Sequence, residues 1–186
     1  MFIEPVFGKS FFGREEVLGR INKRVTALKG GYRQNVALAG PMLSGKSSIL
    51  RHFLSTTKDS DILPIYIEMA GDDFKVFARR FVASLLYRFL KSIGEPSDGD
   101  FDMLKEVAGK YIPKTVMDIE VIERLVGNRK FDIAYEEILK LTSTFKEETG
   151  KSCVVILDEF HNLSNFKLKK PFQVFGKFIM IQKNTM

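Results

Sequence analysis

Apolar positions along this chain recur with two periods. Val17, Leu18, Ile21, Val25 and Leu28 fall at helical spacing and are followed by Gly30-Gly31, which predicts a helix over 14–29. Asn35-Val36-Ala37-Leu38-Ala39 is a short apolar run and predicts a buried strand. Ile49, Leu50, Phe53 and Leu54 return to helical spacing, up to about residue 56. Residues 62–69 predict a second strand, with Pro64 confining it to an edge or Pro64 itself to an early position. Asp72 or Asp73 then caps a long helix over 74–92, with Phe74, Phe77, Phe81, Leu85 and Phe89 on one face. An aromatic stripe at that spacing is a core face rather than a base-stacking surface. Residues 94–99 form a loop, 100–111 and 115–126 two shorter helices, and a further helix begins at Phe131 and ends near Gly150. From Cys153 to Leu157 the run is unbroken, as in a strand buried on both faces of a parallel sheet. For 171–183 two readings compete. Pro171 suits the first turn of a helix, whereas Phe178-Ile179-Met180-Ile181 fits a short strand; helix is preferred. Strands alternating with helices predict an α/β fold.

Two strand ends carry chemistry. Gly40-Pro41-Met42-Leu43-Ser44-Gly45-Lys46-Ser47 reads G-x-x-x-x-G-K-[ST], the phosphate-binding loop or Walker A. Such a string arises by accident in about one chain in a hundred of this length, so its surroundings matter. A strand before it and a helix after it are what the motif requires. Glycine at each end lets the backbone wrap an anion, and the amides of the loop and of the following helix, Ser48 included, point at phosphate oxygens. Lys46 is expected to reach the β- and γ-phosphates and the Ser47 hydroxyl to ligate Mg²⁺. The second end is Asp158-Glu159, after the run from Cys153, in the Walker B pattern. Asp158 is expected to hold Mg²⁺, and Glu159 to orient or deprotonate the water attacking the γ-phosphate. The competing reading is a strand running into an acidic, helix-capping turn.

Phe12-Gly13-Arg14-Glu15, the 40–47 loop and Leu157-Asp158-Glu159-Phe160 together resemble the archaeal-type ATPase family, a branch of the P-loop NTPases allied to the AAA+ and STAND groups. The resemblance covers essentially the whole chain. It implies ATP and Mg²⁺ as ligands and a three-layer α/β/α fold with a mainly parallel sheet of strand order 5-1-4-3-2. The loop and helices over 94–130 read as a helical insertion between the second strand and the Walker B strand, and the resemblance places Phe12 and Arg14 beside the adenine. The fourth strand of that order belongs between the first and the third, and nothing after Glu159 supplies it. The chain is therefore expected to be one P-loop domain over 1–186, incomplete at its C-terminal side and the first part of a longer ATPase. Sensor, arginine finger and lid would lie elsewhere. The gap would be filled by residues 178–181, by a second copy of the chain or a partner domain, or removed by rearrangement.

Composition narrows the picture. The chain has 186 residues, 45% hydrophobic and 28% charged, enough for one domain with a sizeable core. One cysteine excludes an internal disulfide framework, and with two histidines it gives no metal-ligand set. Cys153 reads as packing and His161 as a turn residue. No run approaches a membrane span and the N-terminus lacks a signal-peptide pattern, so a cytoplasmic protein is expected. The net charge is +6, and Lys167, Lys169, Lys170, Lys177 and Lys183 follow Glu159 with no acidic residue among them. That stretch is either a solvated face, the preferred reading, or a footprint for DNA. The leading expectation is an ATP-hydrolysing domain. The alternatives are a STAND-like nucleotide switch or scaffold without significant turnover, a DNA-associated ATPase module, and a GTPase or small-molecule kinase. The guanine motif N-K-x-D is missing: Asn22-Lys23-Arg24-Val25 lacks the aspartate and precedes the loop.

Overall fold

The computed structural model describes residues 5–71, 73–183 and 185–186. Asp72, the alternative cap, and residues 1–4 of the N-terminus lie outside them. Two strands, β1 (Ile62–Glu68) and β2 (Ser152–Asp158), pair in parallel from Ile62 opposite Ser152 to Glu68 opposite Asp158. Successive side chains of a strand point to opposite faces, and both faces here are apolar. Leu63, Ile65, Ile67 and Cys153 join a large core with α3 (Phe74–Ser92) and α6 (Phe131–Thr149). Ile62, Val154 and Ile156 face the other way, onto Ile21, Val25 and Leu28 of α1 (Glu15–Lys29) and Ile49 and Phe53 of α2 (Lys46–Thr56). The result is helix, sheet, helix in three layers. Each fully buried Leu, Ile or Phe contributes about 1.5–3 kcal/mol, so β2, buried on both sides, is the most constrained segment.

The helices follow the apolar spacing. In α3 the predicted stripe is buried, and Phe89 meets Phe145 of α6 edge-on at 5.5 Å. Asp73 caps α3 by accepting from the Val76 amide at 3.0 Å. Between α3 and α6 lie α4 (Phe101–Gly109), capped by Asp100, and α5 (Pro113–Gly127). The start of α5 has no cap of its own. Glu148 of α6 accepts instead from the Lys114 and Thr115 amides at 2.7 and 2.8 Å and from the buried Thr115 hydroxyl at 2.7 Å. Residues 160–166 turn as a 3-10 helix, and α7 (Pro171–Ile181) adopts the preferred helical reading. Cys153 is fully buried, and burial pushes its thiol pKa up, away from reactivity.

One element differs from expectation. Residues 35–39 form no strand and make no backbone hydrogen bond among the described residues. An apolar run becomes a strand only when a neighbour takes its amides and carbonyls, and here the neighbour is missing. Among the described residues the free edge of β2 is paired only at its beginning. Thr185 bridges Cys153 in parallel, the Met186 amide donates to the Cys153 carbonyl at 3.1 Å, and the Val155 amide to the Met186 carbonyl at 2.7 Å. The sheet among the described residues is therefore two strands wide. No described helix is long and apolar enough to cross a membrane.

Glu148 ties α6 to the first turn of α5, where a carboxylate meets unpaired amides and the helix dipole. Glu148→Ala should lower unfolding stability by about 1–2 kcal/mol. Urea denaturation followed by circular dichroism checks this, and an unchanged midpoint would show that the cap contributes nothing.

Candidate functional site

The 40–47 loop runs from the unpaired 35–39 segment into α2. Gly45 caps α2 at φ 85° without a side-chain hydrogen bond, and the first turn of α2 holds no acidic residue. The positive φ is the reason glycine is needed there. At Gly40 a Cβ would lie 2.9 Å from the Ser44 Oγ, the end of a side chain that can rotate away, so glycine there is not required by space alone. The amides at the start of α2 are thus left without the carboxylate that α3, α4 and α5 each receive, and the helix dipole adds positive potential there. Lys46 is half-buried, and its ammonium donates to the Gly40 and Pro41 carbonyls at 2.9 Å each. Its charge is held by the loop it belongs to, not by an acidic partner.

Ser47 is half-buried on the first turn of α2, and Ser48 Oγ accepts from the Val6 amide at 3.0 Å. Met42 and Leu43 are exposed at the loop tip, with Leu43 at φ 62°. Arg14 also has positive φ (66°), and its guanidinium donates to the Ser44 carbonyl at 3.2 Å, so the Phe12–Glu15 stretch touches the loop. Phe12 does not share that contact: it is 86% exposed, and its neighbour Phe11 stacks on His52 of α2 at 4.2 Å instead.

The carboxylates come from β2. Asp158 is only 5% exposed. Its Oδ1 accepts from the Glu159 amide at 3.0 Å and its Oδ2 from the Tyr66 hydroxyl at 2.7 Å. No cation lies within ion-pair distance of it among the described residues. Glu159 sits at φ 54°, a left-handed position that costs a non-glycine residue about 1 kcal/mol. It turns the chain sharply off the strand, and its Oε2 lies 3.5 Å from His161 Nδ1.

Lys46, Asp158 and Glu159 line one cavity of about 550 Å³, within the usual range for a small-molecule site. The same cavity continues as an apolar groove between 35–38 and the free edge of β2, bordered by Phe175 and Phe178 of α7. The five C-terminal lysines are all exposed, and none makes an ion pair among the described residues. Tyr66 was not anticipated from the sequence. Its hydroxyl is half-buried and its pKa is pushed up to about 12, chiefly by burial and also by Asp158. The only sequence signal was a tyrosine in a strand whose register against β2 was unknown.

A family model described as an AAA ATPase domain matches residues 10–169. No curated protein and no solved structure matches the chain.

A buried carboxylate that meets only neutral donors is costly in the free protein. Asp158→Asn should therefore raise unfolding stability by about 1 kcal/mol when measured by urea denaturation in EDTA. A loss of similar size would show that the carboxylate serves the fold.

Proposed function

The chain belongs to the AAA ATPase domain family, matched over residues 10–169, and from that premise we propose that it binds ATP in the 40–48 loop and cleaves the β–γ phosphoanhydride with Mg²⁺. The observation that carries this reading is that Lys46, Asp158 and Glu159 line one cavity although more than a hundred residues separate the first from the other two. The loop and α2 amides bind phosphate oxygens, and Lys46 exchanges its two carbonyl partners for the β- and γ-oxygens. Asp158 and the Ser47 hydroxyl are hard oxygen donors, and the carboxylate has no competing cation among the described residues, which fits Mg²⁺ held partly by protein and partly by phosphate. When bound, Mg²⁺ neutralises charge on the phosphates. Glu159, turned off the strand at the cavity wall, orients or deprotonates the attacking water. Arg14, donating to the Ser44 carbonyl, joins the Phe12–Glu15 stretch to the loop, in keeping with the resemblance to the archaeal-type ATPases.

The free edge of β2 has a further role in this reading. An extended segment, from a second copy of the chain or a partner domain, pairs with β2 and fills the groove to complete the sheet. Amide exchange at Leu157 should then be slow in the assembled state and fast in the isolated chain; equal rates in both would remove this part of the proposal.

The central test is a titration of the 186-residue chain with fluorescent ATP and Mg²⁺, together with phosphate release. Lys46→Ala should abolish measurable binding. Glu159→Gln should keep binding and lower turnover by about a hundredfold or more. Binding unaffected by Lys46→Ala would overturn the assignment. Equal, very slow release by wild type and Glu159→Gln would instead identify a nucleotide switch.

A further inference from the structure

Asp158 is not held by its own strand alone. Its Oδ2 accepts from Tyr66 Oη at 2.7 Å across 92 residues of sequence, while Oδ1 accepts from the next amide in the chain. The strand register explains the meeting: Glu68 lies opposite Asp158, and Tyr66, two residues earlier, occupies the same face of β1. The Asp158 backbone is pinned as well, since its carbonyl accepts from the Met69 amide at 3.0 Å and the Met69 carbonyl accepts from Asn162 Nδ2 at 2.5 Å. Main chain and side chain of this residue are thus held in part from β1 and the residue that follows it, and not by its own strand alone.

Tyr66 is fixed in turn. The Arg51 guanidinium lies over its ring, 5.6 Å from the centroid, and is anchored by Glu68 at 3.1 Å. Arg51 sits on α2, the helix that begins at Lys46. The ring therefore lies between the helix that starts at the loop and the carboxylate at the end of β2. A carboxylate offers about four acceptor directions. The tyrosine and the Glu159 amide take two, which determines the directions left for a ligand.

We propose that Tyr66 is a positioning residue for Mg²⁺: its hydroxyl orients the Asp158 carboxylate for the metal, and Arg51 holds its ring in register with α2. This rests on the reading of Asp158 as the Mg²⁺ carboxylate. Hydrogen-bond donors to metal ligands act on metal affinity through ligand orientation, and their loss typically costs 10–100-fold. Tyr66 does not line the cavity that holds Lys46, Asp158 and Glu159, so its effect should be confined to the metal.

The experiment compares wild type, Tyr66→Phe and Asp158→Asn for binding of fluorescent ATP, first in EDTA and then against increasing Mg²⁺. In EDTA, Tyr66→Phe should bind ATP as wild type does. The Mg²⁺ concentration that half-saturates the metal-dependent enhancement should rise about tenfold or more, and Asp158→Asn should lose the enhancement. Should Tyr66→Phe fail to fold, 3-fluorotyrosine placed at position 66 keeps ring and hydroxyl. Its fluorine resonance should shift when Mg²⁺ is added to the ATP-bound protein, but not in an Asp158→Asn background. An unchanged Mg²⁺ dependence in Tyr66→Phe, or an unresponsive fluorine signal, overturns the role of Tyr66 while leaving ATP binding intact. No ATP binding by wild type, or binding indifferent to Mg²⁺, overturns the underlying reading of the site as well.

Discussion

β2 has to be apolar on both faces and still end in two carboxylates. Its side chains point alternately into two separate cores, so no polar residue is tolerated along its length except at its ends. Ser152 opens it and Asp158 closes it, and both are buried. The strand delivers a carboxylate to a place where an unpaired charge is costly. Only neutral donors meet it there, a phenol and a backbone amide. Such an arrangement lowers the stability of the free chain and leaves electrostatic work for a cation to do.

The opposite wall of the cavity has the opposite polarity. The start of α2 carries unpaired amides, the positive end of the helix dipole and Lys46, with no carboxylate in its first turn. Lys46 satisfies itself on the Gly40 and Pro41 carbonyls, its own loop, rather than reaching across to Asp158 or Glu159. Two poles of opposite sign therefore face one space without cancelling. Backbone strain sits at both, with Leu43 and Glu159 at positive φ. Bulkier residues avoid that region unless the surrounding structure enforces it.

What the sequence revealed and what it hid divide along a physical line. Helices are local objects, and their apolar faces were readable from spacing alone: α3 begins and ends where the pattern predicted, and α7 took the helical option. The loop and the Asp158-Glu159 pair were readable because their chemistry is written in consecutive residues. Strands are not local. Residues 35–39 have the composition of a strand and no partner among the described residues, so they remain irregular. The contact of Tyr66 with Asp158 depends on a register between segments about ninety residues apart, which no periodicity encodes. The cap supplied by Glu148 to α5 was hidden for the same reason.

Completion of the sheet and geometry of the site are a single problem. The 35–39 segment leads directly into the loop that carries Lys46, and β2 leads directly into Asp158. The groove between them is lined by Val36 and Leu38 on one side and Val155 and Leu157 on the other. Beyond Val155 the free edge of β2 takes no partner among the described residues, whereas at Cys153 and Val155 it already pairs in parallel with Thr185 and Met186. Whatever bridges the groove sets the separation of the two walls, and hence the distance between the ammonium and the carboxylates. A filled groove would replace side-chain contacts by a backbone ladder, which holds a spacing of about 4.8 Å from strand to strand. The two poles would then be held at a distance fixed by strand pairing, and the affinity of the cavity for a phosphate–metal pair would depend on hydrogen bonds made outside it.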